Sequence, residues 1–546
     1  MASRFRSVLR FIPATCAAAL LLAPGYARAA DAPADPYAEL HYWYPLPKAE
    51  KPAVITVDVC VYGATPAGVT AAIQATRMGR TAALVEFSRH VGGLTSSGLS
   101  ATDGGNAIGG LALEFYKGLG KRRGFLPAEA EARFRAMLAE AKVQLLTEHR
   151  LSAVTKDGAA LTAIDCEDGD RVQARMFVDA TYEGDLLARA GVAFAVGREA
   201  NAQYGETLDG VQKPGSHNFT RAVDPFVKAG DPASGLLPGI TNPATDAPGA
   251  LGAGDKRIQA YNFRMFLAKV PEAFPFPKPP GYDAGRYELL LRYLQAGAEG
   301  GPELHDFMQL HVGDSNNNGG FSTDDIGMNY AWPEADYATR ERIYQEHVTY
   351  QQGLMWFLAN DPRVPDGIRA KVAGYGLDKR SFPATGGWPH ALYVREARRM
   401  VAAYVMTEHN CRGKEVAEDA VGLGEYNMDS HNTQRFVDRS GAKPVARNEG
   451  DVQVGVPGSY PVAYRAIVPK AGECTNLLVP VCLSATHIAY GSIRMEPVFM
   501  VLGQSAGTAA VLALDAKVAV QALPYAALRA RLDQDGQLLT PALHKK

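Results

Sequence analysis

His431, in the stretch YNMDSHNTQR, is the side chain best suited to move a proton near neutral pH, because a neutral imidazole accepts one there. Asp429 and Asn432 flank it in sequence and are candidates to orient the ring. A structural histidine bonded to backbone is the alternative reading. Arg494 and Glu496 follow in SIRMEP. The arginine suits a developing negative charge or a substrate, and Glu496 with Pro497 marks a helix start, where an acid favours the dipole. Arg395, in WPHALYVREARRM, is a further candidate substrate contact. Together with Glu396, Arg398 and Arg399 it otherwise reads as a charged helix face turned to solvent. QAYNFR sets Tyr261, Asn262 and Arg264 side by side, a combination suited to a polyhydroxylated ligand and equally to strand packing.

Asp314, Asn316, Asn318, Gly319 and Asp325, in DSNNNGGFSTDD, fall at the spacing of a calcium loop. The last position is Asp rather than Glu, and YAWP downstream is no clean exiting helix. A polar turn or active-site loop is therefore expected, and no metal is assigned.

VDVCVYGATPAGVTAA (57–72) carries a different chemistry. It reads as strand, Gly-rich turn and helix. Gly63 makes the tight turn and Gly68 permits close helix packing. The middle position, glycine in the usual dinucleotide fingerprint, is Thr65, which either holds the backbone off a pyrophosphate or offers it a hydroxyl. Pro66 suits the first helical turn, and with Ala67 it opens a helix whose free N–H groups and positive dipole end favour an anion. Glu86 closes the next strand, TAALVE, where an acid meets the two hydroxyls of an adenosine ribose. A second Gly-rich run follows, with Gly92, Gly93 and Gly98, and suits a cofactor that extends past its pyrophosphate.

The elements that must position these residues are legible in outline. The opening helix runs from about Pro66 to Met78 and stops at Gly79. VQLLTEHRLSAVTKDG and AALTAIDCEDGDRVQARMFVDA read as strands with Asp-Gly turns at 157–158 and 168–169, a β-meander. A charged helix is expected near YATRERIYQEHVTYQQGLMWFL, and one long apolar helix over MEPVFMVLGQSAGTAAVLALDAK. The 546 residues exceed one core, so the chain is divided into a signal peptide (1–29), an extended lead-in (30–50), a first nucleotide-binding part (51–200), a substrate or cap domain (201–425), a return segment (426–530) and a tail (531–546).

Arg4, Arg6 and Arg10, a short apolar run and Ala27-Arg28-Ala29 predict a Sec-type signal peptide and a periplasmic or secreted protein. Its loss removes four arginines and no acid, taking the formal net charge from −2 to −6. Such a chain carries no basic footprint for nucleic acid, and no other run is expected to span a membrane. The cysteines contain no CxxC, which removes zinc-ribbon and iron–sulfur readings. Cys411 with Cys474 or Cys482 is a possible disulfide, with connectivity left open.

DVCVYGATPAGVTAA, LVEFSRHVGGLTSSGLSATDGG, FVDATYEGDLLARAGV, YNMDSHNTQR and SIRMEPVFMVLGQSAGTAA together resemble the FAD-dependent oxidoreductases with a glutathione-reductase-like nucleotide domain. More narrowly they resemble a secreted bacterial branch, some of whose members are labelled xanthan-lyase-like. The resemblance implies an α/β fold, Rossmann-like, with an inserted α+β substrate domain and FAD as cofactor. It implies that Gly63 and Gly68 approach the pyrophosphate and Glu86 the ribose, that Gly92 and Gly93 lie along the ribityl chain, and that Asp179, Ala180 and Thr181 form the strand end near adenine. Gly503, Gln504 and Gly507 would open the helix aimed at the flavin, and His90 is a candidate covalent anchor.

The expected function is hydride transfer from a small polar, carbohydrate-like substrate to FAD, with oxygen or a separate carrier as electron acceptor. A carbohydrate-binding or lyase-type protein keeping FAD structurally is the alternative, and an NAD-type nucleotide protein a third reading.

Overall fold

The computed structural model describes residues 40–100, 103–104, 107–243, 248–296 and 310–541. The expected signal peptide and most of the lead-in lie outside the described residues. The chain opens with β1 (Val54–Tyr62), α1 (Pro66–Arg77) and β2 (Ala82–Val85). β-Branched residues fill β1, and its last four residues are all buried, as in a strand covered on both faces. β3 (Gln144–Leu146), β4 (Leu151–Asp157), β5 (Ala160–Cys166), β6 (Arg171–Asp179) and the late β7 (Leu477–Leu478) complete the sheet. Its order is β3-β2-β1-β6-β5-β4, with β7 also on β6.

The sheet is mixed. β1 runs parallel to β2 and β6, β2 to β3, and β7 to β6. β4, β5 and β6 are antiparallel and form the expected meander. This is the expected α/β class, with the parallel half of a Rossmann-like sheet leading its strand ends to one edge.

The inserted part has its own core, built from residues such as Tyr261, Phe263, Leu290, Trp332, Phe357 and Trp388. Four short strands, Ala273–Phe274, Tyr375–Asp378, Phe266–Lys269 and Gly313–Asp314, form its antiparallel sheet. The helix α2 (Tyr337–Asn360) starts where Asp336 accepts from the Thr339 N–H. Its Arg340 is buried and bridges to Asp185, just beyond β6, at 2.7 Å. That contact docks the insertion over the edge where the parallel strands end.

α3 (His487–Ile493) and α4 (Glu496–Ala516) close the molecule. α4 is long and apolar enough to cross a membrane, yet 89% of that window is buried inside the protein. It lies on α1 so closely that an added Cβ at Gly503 would stand 2.1 Å from the Ala67 carbonyl oxygen, and one at Gly507 2.4 Å from that of Ala71. These two glycines therefore allow the close crossing of α4 on α1. They sit about two and about three turns inside α4, which opens at Glu496, so the expectation that Gly503, Gln504 and Gly507 open the helix is corrected. Gln504 instead accepts from the Leu111 N–H at 2.8 Å and reaches Gln74.

Candidate active site

The first turn is built from backbone. Gly63 takes a φ of +98°, and a Cβ there would meet the Ala180 carbonyl carbon and the Thr181 nitrogen at 2.9 Å. At Gly68 a Cβ would fall 1.8 Å from the Gly63 oxygen. Thr65 caps α1, and its hydroxyl donates to the Ala180 carbonyl at 2.7 Å. The hydroxyl is thus turned into the protein and engaged there, rather than offered to a phosphate. Pro66 occupies the first turn, and Ala67 faces Gly503.

Glu86 stands at the end of β2. Its carboxylate accepts from the Ala64 N–H and from both the N–H and hydroxyl of Ser88. Burial raises its pKa above the ordinary value, and those donors pull it back in part. Asp179 is fully buried and accepts from Thr181 and the Leu187 N–H. Burial pushes its carboxyl up to about 6. It shapes the loop from within, and Thr181 is the member of the trio that faces a cavity.

That cavity has a volume of about 420 Å³. Gly63, Thr65, Glu86, Gly93, Thr181 and Tyr182 line it from the sheet side, and Trp332, Tyr344 and Leu392 from the insertion. Residues 40–44 strap its outer end. Tyr42 stacks on Phe87 at 4.7 Å, its N–H donates to Glu341 of α2, and the Tyr44 carbonyl accepts from Arg150. His90, the candidate anchor, also lines the cavity, with its ring on that of His390 at 3.6 Å and its Nδ1 facing Glu131 at 3.2 Å. The residues fit FAD. The glycine turn meets a helix start at one end, an acid stands at the next strand end, and Gly93 packs its backbone so closely on Tyr182 that a Cβ there would lie 2.3 Å from the hydroxyl.

Beyond Tyr182, whose hydroxyl donates to Glu496 at 2.9 Å, lies a second, small cavity of about 50 Å³, lined by Arg264, Tyr393, Asp429, His431, Arg494 and Glu496 among others. His431 Nδ1 and Asp324 Oδ2 are 3.0 Å apart, while Nε2 looks toward Asp429 at 3.6 Å. In its neutral form the ring donates Nδ1–H to Asp324 and leaves Nε2 as an acceptor on the cavity side; in its charged form both nitrogens donate, to Asp324 and Asp429. Burial alone would raise Asp429, but His431 and Arg494, the latter 2.9 Å away, hold it down at about 2. Asp324 is likewise kept low against burial by Arg395 and His431. Three guanidiniums surround Tyr393: Arg395 at 4.7 Å from the ring centroid, Arg264 at 5.6 Å and Arg494 at 5.9 Å. Arg494 also donates to its hydroxyl at 3.0 Å.

Of the residues singled out in the sequence, His431 and Arg494 meet here. Arg395 does not line the cavity. It lies behind, buried, 2.9 Å from Asp324, and burial lowers its pKa. Asn432 turns away to the His217 carbonyl, so Asp324 rather than Asn432 orients the imidazole. Residues 395–399 are not a solvated helix face. They form no helix and lead into a short strand at Arg399–Met400, with Arg399 against Glu199 and Glu396, and Arg398 against Asp185. Arg264 is engaged by Asp314 through two bonds of 2.8 and 2.7 Å, Asn262 by Thr323, and the Tyr261 hydroxyl by the Glu396 carbonyl.

The calcium-like spacing serves ion pairs instead. Asp314 holds Arg264 and Asp325 faces Arg286 at 3.4 Å. Ser430, His487 and Glu396 are spaced like a hydrolytic triad, at 2.9 and 2.7 Å. All three are buried, and burial drives His487 down to about 3. No cavity described above is lined by any of them, so they brace the backbone next to His431 and Arg395. Cys60, Cys166, Cys411, Cys474 and Cys482 are all free and buried, so the possible Cys411 disulfide is not formed.

A dinucleotide cradle set beside a chamber of ionisable side chains, the two joined by the Tyr182–Glu496 hydrogen bond, defines a flavin-type redox protein. The model of the FAD dependent oxidoreductase family matches residues 58–532, and the chain belongs to that family. It is an FAD-dependent oxidoreductase. No curated protein matches the chain. Among solved structures, a geranylgeranyl bacteriochlorophyll reductase-like protein from Thermoplasma acidophilum is 17% identical over 26% of this chain and 43% of its own, with a TM-score of 0.20. The L-proline dehydrogenase from P. horikoshii is 15% identical over 28% and 59%, with a TM-score of 0.21. A flavin monooxygenase mutant from Stenotrophomonas maltophilia is 19% identical over 29% and 45%, with a TM-score of 0.18. The chain thus spans about half the length of the solved structures it matches.

Proposed function

We propose that this protein is an exported dehydrogenase or oxidase that removes two electrons from an alcohol carbon of a small polar, carbohydrate-like substrate. FAD, when bound, supplies the electron acceptor for the substrate C–H bond. The observation that carries the reading is the convergence of His431, Asp429, Arg494 and Tyr393 on one small chamber beside the cofactor cavity. A void of about 50 Å³ has room for the reacting group of a substrate.

The residues divide the work. The substrate hydroxyl gives its proton to His431 Nε2, and Asp324 fixes the tautomer that leaves this nitrogen open. The imidazolium so formed lies between Asp324 and Asp429, both ionised. Arg494 fixes Asp429 and orients the Tyr393 hydroxyl, a hydrogen-bond partner for a second substrate oxygen. Arg395 acts through Asp324 as a positioning residue. The final electron acceptor is oxygen or a separate carrier. Export rests on the first 29 residues of the sequence.

The test is the visible spectrum of the purified protein under anaerobic conditions, before and after a panel of sugars and glycan fragments. Bleaching of the flavin band by a member of the panel is the expected result. A band that survives every hydroxylated compound sinks the substrate class. Detection of the processed chain in the periplasm or medium checks export.

A further inference from the structure

Glu496 is the one acid of the small chamber with no cationic partner among the described residues. Its carboxylate accepts from the Thr95 hydroxyl at 3.0 Å and from the Tyr182 hydroxyl at 2.9 and 3.0 Å. Tyr182 in turn accepts from the Leu94 N–H at 3.0 Å and lines the large cavity, whereas Glu496 lines the small one. The carboxyl is therefore one hydroxyl away from the cofactor side and open to the substrate side. Its neighbours in the chain fix it there, because it begins α4 directly after Arg494 and Met495.

The charged groups facing it across the chamber are Asp103, Arg264, Asp429, His431 and Arg494. Arg264 and Arg494 are already paired, with Asp314 and Asp429. Burial without a counter-ion pushes the Glu496 carboxyl up to about 7, and the two hydroxyls offset this in part. An acid at a helix start would ordinarily stay ionised for the dipole. Here burial opposes the ionised form, and only the two hydroxyls favour it.

We propose that Glu496 stores the second proton of the reaction, taking it up as the bound cofactor is reduced. Oxidation of a secondary or primary alcohol carbon to a carbonyl releases two electrons and two protons. The C–H bond delivers both electrons and one proton to FAD, and the O–H bond breaks with its proton passing to His431. From His431 that proton crosses the chamber to the Glu496 carboxylate, which becomes neutral beside a cofactor that has gained one negative charge. Reoxidation of the cofactor reverses the uptake. The proposal rests on the small chamber as the reaction site, but its test needs no substrate, so failure of the one is separable from failure of the other.

The test is the midpoint potential of protein-bound FAD, reduced chemically, measured against pH from about 5 to 9 in wild type, Glu496→Gln and Tyr182→Phe. In wild type the slope near neutral pH is expected to correspond to two protons taken up per two electrons. Glu496→Gln is expected to halve it to one. Tyr182→Phe removes a donor to the carboxylate and is expected to move the steep region to higher pH without abolishing it. Retained yellow colour in both variants reports a folded site. A Glu496→Gln profile that superimposes on wild type overturns the proposal. If that variant fails to hold FAD, an unmoved profile in Tyr182→Phe overturns it instead.

Discussion

The cofactor turn and the substrate chamber are neighbours, yet they are made in opposite ways. The turn at 63–68 is assembled from consecutive residues and from the absence of side chains: Gly63 and Gly68 leave no space for a Cβ, and Thr65 bonds only to its own surroundings. The chamber is assembled from side chains brought from residues 264, 393, 429, 431, 494 and 496. Its charges are held by a further layer at Asp314, Asp324 and Arg395. A backbone site tolerates change in polarity but not in volume. A side-chain site of buried ion pairs behaves in the reverse manner.

The largest expected effect comes from breaking the second layer. Arg395→Met keeps the volume but leaves Asp324 buried beside His431 alone, which costs about 3–5 kcal/mol and disorders the imidazole. Urea unfolding and the rate of flavin bleaching together check it. His431→Gln can keep a donor to Asp324 but loses the proton acceptor, and is expected to retain FAD while lowering substrate-driven reduction by roughly 10²–10⁴-fold, read by stopped-flow absorbance. Gly503→Ala drives a methyl against the Ala67 carbonyl and is expected to cost about 1–3 kcal/mol and loosen FAD, although no polar atom changes. Thr65→Ala, which removes the cap but not the glycine geometry, is expected to cost only about 1 kcal/mol and to retain FAD.

Proton linkage sharpens the same contrast. Asp429 titrates below its unfolded value, so the stability it contributes is complete above about pH 4 and is lost as pH falls toward about 2. Glu496 titrates above its unfolded value, so folded protein binds the extra proton between about pH 4 and 7, and stability falls as pH rises through that window. Asp429→Asn is expected to flatten the acid limb of stability against pH, and Glu496→Gln the neutral one.

The cofactor side was legible because its signal is local. A strand, a turn glycine, a capped helix and an acid at the next strand end lie within about thirty residues, and each follows from one rule of backbone geometry. The chamber was legible only in part. His431 and Arg494 carry residue types that announce chemistry, and both arrived there. Asp324 did not, because it stands in a polar loop that reads equally as a calcium turn, and only tertiary packing sets it against His431. Arg395 to Arg399 were misread because a run of charges signals solvent unless each finds a partner, and those partners, Asp324, Glu199 and Asp185, are distant in sequence. Gly503 and Gly507 were placed at the helix start rather than inside it because a helix start and a helix crossing both call for small residues.

The five buried thiols carry a consequence of their own. Burial pushes Cys166 and Cys411 up to about 12 and raises Cys60, Cys474 and Cys482 as well. The thiolate, the form that attacks a disulfide or captures a soft metal ion, is therefore almost absent at neutral pH. None of the five is a cross-link that a reductant would open, and none is a nucleophile that an oxidant would readily capture. The folded enzyme is expected to have the same architecture in reducing and oxidising surroundings, so that electron traffic is left to the cofactor.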